Sequence, residues 1–195
     1  MEPRFDDTNE TIGRLFSNIN ELRETLNKHT VSKYKRINPL NENLIDWKEK
    51  GRQVSGHDNN TIYESSTIMG DVEMGNNCWI GPFTILDGSG GLNIGDFVTV
   101  AAGSMVFTHD TYKYALTGGK SPYEYGSVMI GSNCFVGTHA IVLKGTNIGH
   151  HCLIQANSLV SGEFPPYSII AGSPAVVIGK VRVDGENVSL EYIKN

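Results

Sequence analysis

The chain has 195 residues, 39% of them hydrophobic, with a formal net charge of −5 and a pI near 5.6. That length accommodates one good-sized domain and a small appendage, and the acidic balance excludes a general nucleic-acid binder, which carries a basic patch or a high pI. No run of about 18 apolar residues is present to span a membrane, and three cysteines without a CxxC pair indicate neither a disulfide framework nor a zinc ribbon.

At the N-terminus, Met1 to Asp7 places acids where a secretory signal needs a basic start and an apolar core, so a cytoplasmic location is expected. Residues 8–28 are predicted to be helical. Asp7 or Thr8 can cap the helix, with Glu10 three residues after Asp7 in capping-box fashion. Ile12, Leu15, Ile19, Leu22 and Leu26 alternate spacings of three and four, the seam of a coiled coil or of an amphipathic helix lying on its own domain. Either arrangement would reinforce an oligomer. Residues 30–60 are polar and turn-rich, with a short helix expected around Leu44 to Lys50 and a solvated basic segment at Lys33 to Arg36.

From Ile62 an aliphatic residue or Met recurs every sixth position: Ile62, Ile68, Met74, Ile80 and Leu86. A two-residue insertion within Gly88 to Gly91 shifts the frame, which resumes at Ile94, Val100 and Val106, and again at Ile130, Val136, Val142, Ile148, Ile154 and Val160. Two residues before these lies a column of mostly small side chains that includes Ser66, Thr84, Ser104 and Ala140. Cys78, Cys134 and Cys152 all belong to it, so they are expected to be buried small hydrophobes rather than nucleophiles or metal ligands. A period of six is neither helical nor that of a plain amphipathic strand. It fits a short strand and a corner, three of which make one triangular coil of a parallel β-helix.

Between Val106 and Ile130 the beat stops, and an aromatic, polar loop appears: Phe107-Thr108-His109-Asp110-Thr111-Tyr112-Lys113-Tyr114, then Gly118-Gly119-Lys120-Ser121-Pro122-Tyr123. A loop thrown out of a rigid scaffold is where function concentrates. Beyond the last rung, Val181 to Val188 is predicted to form a hairpin on the Asp184-Gly185 turn. The expected organisation is a helical segment and connector (1–60), a β-helix with an extruded loop at 107–127 (61–181), and a C-terminal tail or hairpin (182–195).

The six-residue rungs, Thr108-His109-Asp110 opening the excursion, and the closing stretch from Phe164 through Gly172-Ser173-Pro174-Ala175 resemble the hexapeptide-repeat acyltransferases over about residues 60–181. The likeness is to the sugar and polysaccharide acetyltransferases related to maltose, galactoside and xenobiotic acetyltransferases. It implies an all-β, left-handed parallel β-helix, acetyl-CoA as co-substrate, a homotrimer with sites between neighbours, and a sugar or a nucleotide- or lipid-linked sugar as acceptor, as in surface polysaccharide synthesis. His109 would then be the general base, because a sugar hydroxyl must lose its proton as it attacks a thioester and an imidazole is suited to take it. Asp110 is a candidate to orient that ring.

The rungs matching the family's donor site are Thr138, Ala156 and Ser161. The family's cations beyond them are replaced here by Gly162 and Val176, leaving Lys180 and Lys144 near the coenzyme phosphates. Asp87, Tyr112, Lys113 and Tyr123 are candidates to touch the acceptor, although Asp87 equally suits a surface turn. N-acetylation of an amino sugar is the neighbouring alternative. A zinc hydro-lyase on this fold would need about three converging histidines, and His139 has no partner four or five residues away. A non-catalytic scaffold would have no need of His109.

Overall fold

The computed structural model describes residues 10–193, and the proposed cap at Asp7 or Thr8 lies outside them. Contacts divide the chain into two compact units, Met1–Ile45 and Asp46–Asn195. In the first, helix α1 runs from Glu10 to Tyr34 and helix α2 from Leu40 to Leu44. Helix α1 continues well past its apolar seam, with the hydroxyls of Thr25, Thr30 and Ser32 bonded back to carbonyls one turn earlier. Lys35 then adopts a left-handed φ of 51°, and Pro39 follows. Ile12, Leu15, Ile19 and Leu22 of the seam are each about half exposed, from 45% to 56%.

The second unit begins with helix α3, Trp47–Ser55. Asp46 caps it by accepting from the Lys48 N–H, and Gly56 ends it at φ 75° with its N–H on the Arg52 carbonyl. This helix closes the first coil. Trp47 stacks on Tyr63 at 3.9 Å, and Lys50 Nζ donates to the carbonyls of Tyr63, Glu64 and Ser66. Gly51 is pressed so closely on the chain that a Cβ there would lie 2.2 Å from the Asn60 carbonyl oxygen.

The predicted parallel β-helix follows. Its first face stacks Thr61–Ile62, Trp79–Ile80, Thr99–Val100, Phe135–Val136, Leu153–Ile154 and Ser168–Gly172. The second face includes Ile85–Leu86, Met105–Val106, Ile141–Val142 and Leu159–Val160. The third stacks Asn93–Ile94, Met129–Ile130, Asn147–Ile148 and Glu163–Phe164. Strand Thr67–Met74 pairs with Ile85–Ile94 round the corner between the second and third faces. Its register slips there, Gly70 lying opposite Gly88 but Val72 opposite Leu92. That slip is the two-residue insertion read from the sequence.

All fourteen aliphatic positions point inward and are buried except Ile68, which is partly so. Each such side chain contributes roughly 1.5–3 kcal/mol by leaving water. The small column is buried with them. Its hydroxyls remain satisfied, Ser66 Oγ donating to the Gly81 carbonyl and Ser104 Oγ to the Gly137 carbonyl, both at 2.8 Å. Cys78, Cys134 and Cys152 are buried as free thiols. Burial pushes the Cys78 thiol up, and contact with the Cys152 thiol together with burial pushes Cys134 up.

Two features were not read from the sequence. The corner after Val160 is two residues short, so Phe164 and Ile170 continue the core where a strict six-residue step would not place them. The C-terminal hairpin is also longer than expected. Strand Ala175–Asp184 pairs antiparallel with Ser168–Gly172 on one side and with Asn187–Tyr192 on the other, extending the first face beyond the last coil. Among the described residues no helix is long and apolar enough to cross a membrane.

Candidate active site at the interrupted corner

The corner between the second and third faces carries every departure from the repeat. One coil contributes the insertion Asp87 to Gly91, the next the excursion from Phe107, and the one after it Leu143 to Gly145. The excursion folds back as a ribbon, strand His109–Asp110 pairing antiparallel with Glu124–Tyr125. Between them lie helix α4, Tyr112–Leu116, and a turn whose Tyr123 meets Tyr114 of the helix edge to face at 5.0 Å.

The insertion is locked to the base of the ribbon. Thr108, fully buried, donates its Oγ1 to the Asp87 carbonyl at 2.8 Å and accepts the Gly90 N–H at 2.7 Å. A side chain at Gly90 would collide with the Thr108 carbonyl, 2.5 Å from its Cβ. This places the Asp87 carboxylate, itself fully buried, directly against His109. Its Oδ2 meets the imidazole Nδ1 at 2.6 Å. The same carboxylate accepts the Thr108 N–H at 3.1 Å, the Ser89 N–H at 2.9 Å and the Ser89 hydroxyl at 2.5 Å. Burial pushes this carboxyl up, but the donors from Ser89, His109 and Thr108 outweigh it and bring it down to about 2.

The tautomer of His109 follows. An ionised carboxylate can only accept, so the proton between the two groups sits on Nδ1. In the neutral ring the lone pair is then on Nε2. The imidazole is 30% exposed, and the Tyr125 ring lies beside it at 6.0 Å and 29°.

Asp110, expected to orient the ring, is turned away from it. Successive residues of an extended strand project to opposite sides, and Asp110 Oδ2 pairs with Lys144 Nζ at 3.3 Å. Its Oδ1 is buried and has no hydrogen-bond partner among the described residues. Asp87, expected at the acceptor or in a surface turn, is sealed from solvent and hydrogen-bonded to the histidine. That pairing was missed because the two residues lie 22 positions apart. The available signal was the stacking itself, since Leu86 lies under Val106 and the residues after each share one corner.

The other expected site residues are spread out. Thr138 and Ala156 are exposed neighbours on the corner between the first and second faces, where the Asn157 N–H reaches the Thr138 carbonyl. Ser161 sits on the corner that bears His109, farther along the coil. Lys180 is on the C-terminal hairpin, opposite Ser168. Tyr112 and Lys113 are exposed on α4, with Lys113 Nζ on Glu124 Oε1 at 2.5 Å. Lys144, a candidate for the coenzyme phosphates, is held by both Asp110 and Glu124. Among the described residues no three His, Cys, Asp or Glu side chains converge as a metal site would need.

A family model described as the hexapeptide repeat of succinyl-transferase matches residues 127–161. A probable acetyltransferase of Mycobacterium tuberculosis is 34% identical over 143 residues, which are 71% of this chain and 46% of that protein. Among solved structures, the N-acyltransferase AntD of Bacillus cereus, in complex with dTDP and 3-hydroxybutyryl-CoA, is 25% identical with a TM-score of 0.56. The match covers 62% of this chain and 68% of that one. A maltose O-acetyltransferase of Clostridium difficile 630 shares the fold at 20% identity and a TM-score of 0.57, over 92% of each chain. The chain spans from 30% to 46% of the length of the curated relatives it matches. Repeat, coil and likeness together define a hexapeptide-repeat protein. Its similarities are to acetyltransferases.

Proposed function

We propose that the chain is an acetyl-CoA-dependent acetyltransferase acting on a sugar hydroxyl, with His109 as general base and Asp87 as the group that fixes its tautomer. The observation that carries this reading is the 2.6 Å contact between Asp87 Oδ2 and His109 Nδ1, which leaves Nε2 basic on an exposed corner. Nε2 takes the hydroxyl proton while the oxygen attacks the thioester carbonyl carbon. The tetrahedral intermediate collapses by breaking the C–S bond, and the imidazolium returns the proton to the leaving thiolate. The products are the acetyl ester and free coenzyme A. No acyl-enzyme is required, in keeping with three cysteines that are all buried.

The likeness to the acetyltransferase of M. tuberculosis and to an acyltransferase holding an acyl-CoA supports the donor. The same likeness to an N-acyltransferase favours one second reading, transfer to an amino sugar, for which the same base would first deprotonate the ammonium. A homotrimer working in the cytoplasm on surface polysaccharide precursors completes the proposal. Thr138, Ala156, Ser161 and Lys180 would line the donor path, and Tyr112 and Lys113 the acceptor path. The test is release of free coenzyme A from acetyl-CoA across a panel of sugars, amino sugars and nucleotide sugars. His109→Ala should abolish release, and wild-type turnover in that variant would overturn the mechanism.

A further inference from the structure

The ribbon that carries His109 has two unlike faces. His109 lies opposite Tyr125, and Asp110 opposite Glu124. Side chains alternate along a strand, so the first pair shares one face and the second pair the other. Asp110 and Glu124 are engaged on their face by Lys144 and Lys113. On the face of the base stands an aromatic ring instead. Tyr125 is 58% exposed, and its ring centroid lies 6.0 Å from that of the imidazole with the two planes 29° apart.

Nearly parallel rings about 4.5–7 Å apart form an offset stack, so the imidazole overlies no more than part of the phenol face. The hydroxyl that His109 deprotonates must come within about 2.6–3.2 Å of Nε2, and an acceptor of this base is thereby brought beside Tyr125. A pyranose has a face of axial C–H groups, which the electron-rich face of an aromatic ring attracts. Its equatorial substituents lie near its own mean plane. Laid on Tyr125 beside the imidazole, such a ring runs nearly parallel to the imidazole plane, and an equatorial substituent points along the Nε2 lone pair, which lies in that plane.

We propose that Tyr125 is the acceptor platform of the His109 site: it binds a pyranose by stacking on its C–H face and presents to Nε2 an equatorial hydroxyl, or the hydroxyl of an equatorial hydroxymethyl group. This rests on the acetyltransferase reading above.

The test compares wild type, Tyr125→Phe and Tyr125→Leu with acetyl-CoA and three acceptors: methyl glucoside, UDP-glucose and glycerol. Binding of methyl glucoside is measured in parallel by NMR. Tyr125→Phe keeps the flat ring and should stay within about 2-fold of wild type. Tyr125→Leu keeps an apolar side chain without a π face. It should raise KM for methyl glucoside and weaken its binding by about 10-fold, with kcat and the pH profile of kcat/KM little changed. Glycerol has no ring to stack and should be used alike by all three proteins.

A wild-type KM for methyl glucoside in Tyr125→Leu overturns the proposal. So does an equal loss with glycerol, which would leave the tyrosine a brace for His109, and a loss confined to UDP-glucose, which would give the ring to a nucleobase. Should no protein release coenzyme A with any acceptor, the acetyltransferase reading fails. The platform then stands on binding alone, and methyl glucoside that binds Tyr125→Leu as well as wild type, or binds neither, overturns it.

Discussion

The regular rungs and the interrupted corner are built on opposite plans. A rung such as Ile154 is held by its like above and below, Val136 and Ile170, so the same kind of contact repeats along the axis and no single position is special. At the corner nothing repeats. His109 depends on a carboxylate from the preceding coil, and the strand that carries it is tied to a lysine from the following one. Apolar stacking supplies stability, and the corner uses that rigidity to hold polar groups that could not position themselves. The contrast implies that the two regions should fail differently when altered.

The largest effect is expected at the corner. His109→Ala should lower turnover by about 10²–10⁴-fold while costing only about 1 kcal/mol of stability, because Asp87 keeps its donors from Ser89 and Thr108. Steady-state kinetics and thermal unfolding of the same preparation measure both, and a large fall in Tm would break the contrast.

Asp87→Asn should rank next, at about 10²–10³-fold in kcat, since an amide can present its NH₂ to Nδ1 and reverse the tautomer. It also has a pH signature. The carboxyl is lower in the folded chain, about 2, than in the unfolded one, near 3.9. Its stabilisation, about 2.6 kcal/mol, is therefore complete above about pH 5 and lost as pH falls through 2. Denaturant titrations across that window should show wild type losing stability more steeply than Asp87→Asn, and parallel slopes would count against a depressed carboxyl.

In the rungs the signs reverse. Ile154→Ala should cost about 2–5 kcal/mol, yet the molecules that remain folded should turn over normally. A kcat loss at temperatures well below unfolding would show the core and the corner to be coupled. The smallest effect concerns the first coil, where Lys50→Met removes donors to three carbonyls. A loss of about 1–3 kcal/mol, with slower-exchanging amides confined to later coils, is the expected hydrogen-exchange pattern.

How much of this was legible in the sequence follows from the same division. The rungs could be read one at a time, because each inward position is decided by its own side chain and its neighbours ask for the same thing. The buried fate of Cys78, Cys134 and Cys152 came with the column. His109 was legible as a position, standing where the beat stops. Its partner was not, because Asp87 reaches it only through the stacking of two coils, and the adjacent Asp110 looked nearer in the chain than it is in space. The core role of Phe164 was not legible, since it is neither aliphatic nor in frame. The role of α3 was hidden as well, for the tertiary contacts of Lys50 and Trp47 leave no periodic trace.

That small helix has a consequence for how the molecule ends. Each coil of a β-helix offers its edge groups to the next, so an uncovered first coil is a template on which another chain could add without limit. Trp47 laid on Tyr63 and the Lys50 ammonium seated in three carbonyls occupy that template, and Gly51 lets the helix lie close enough to do so. What reads as a minor connector is a stopper against polymerisation, and it makes a repeat that could in principle run on into a particle of fixed length.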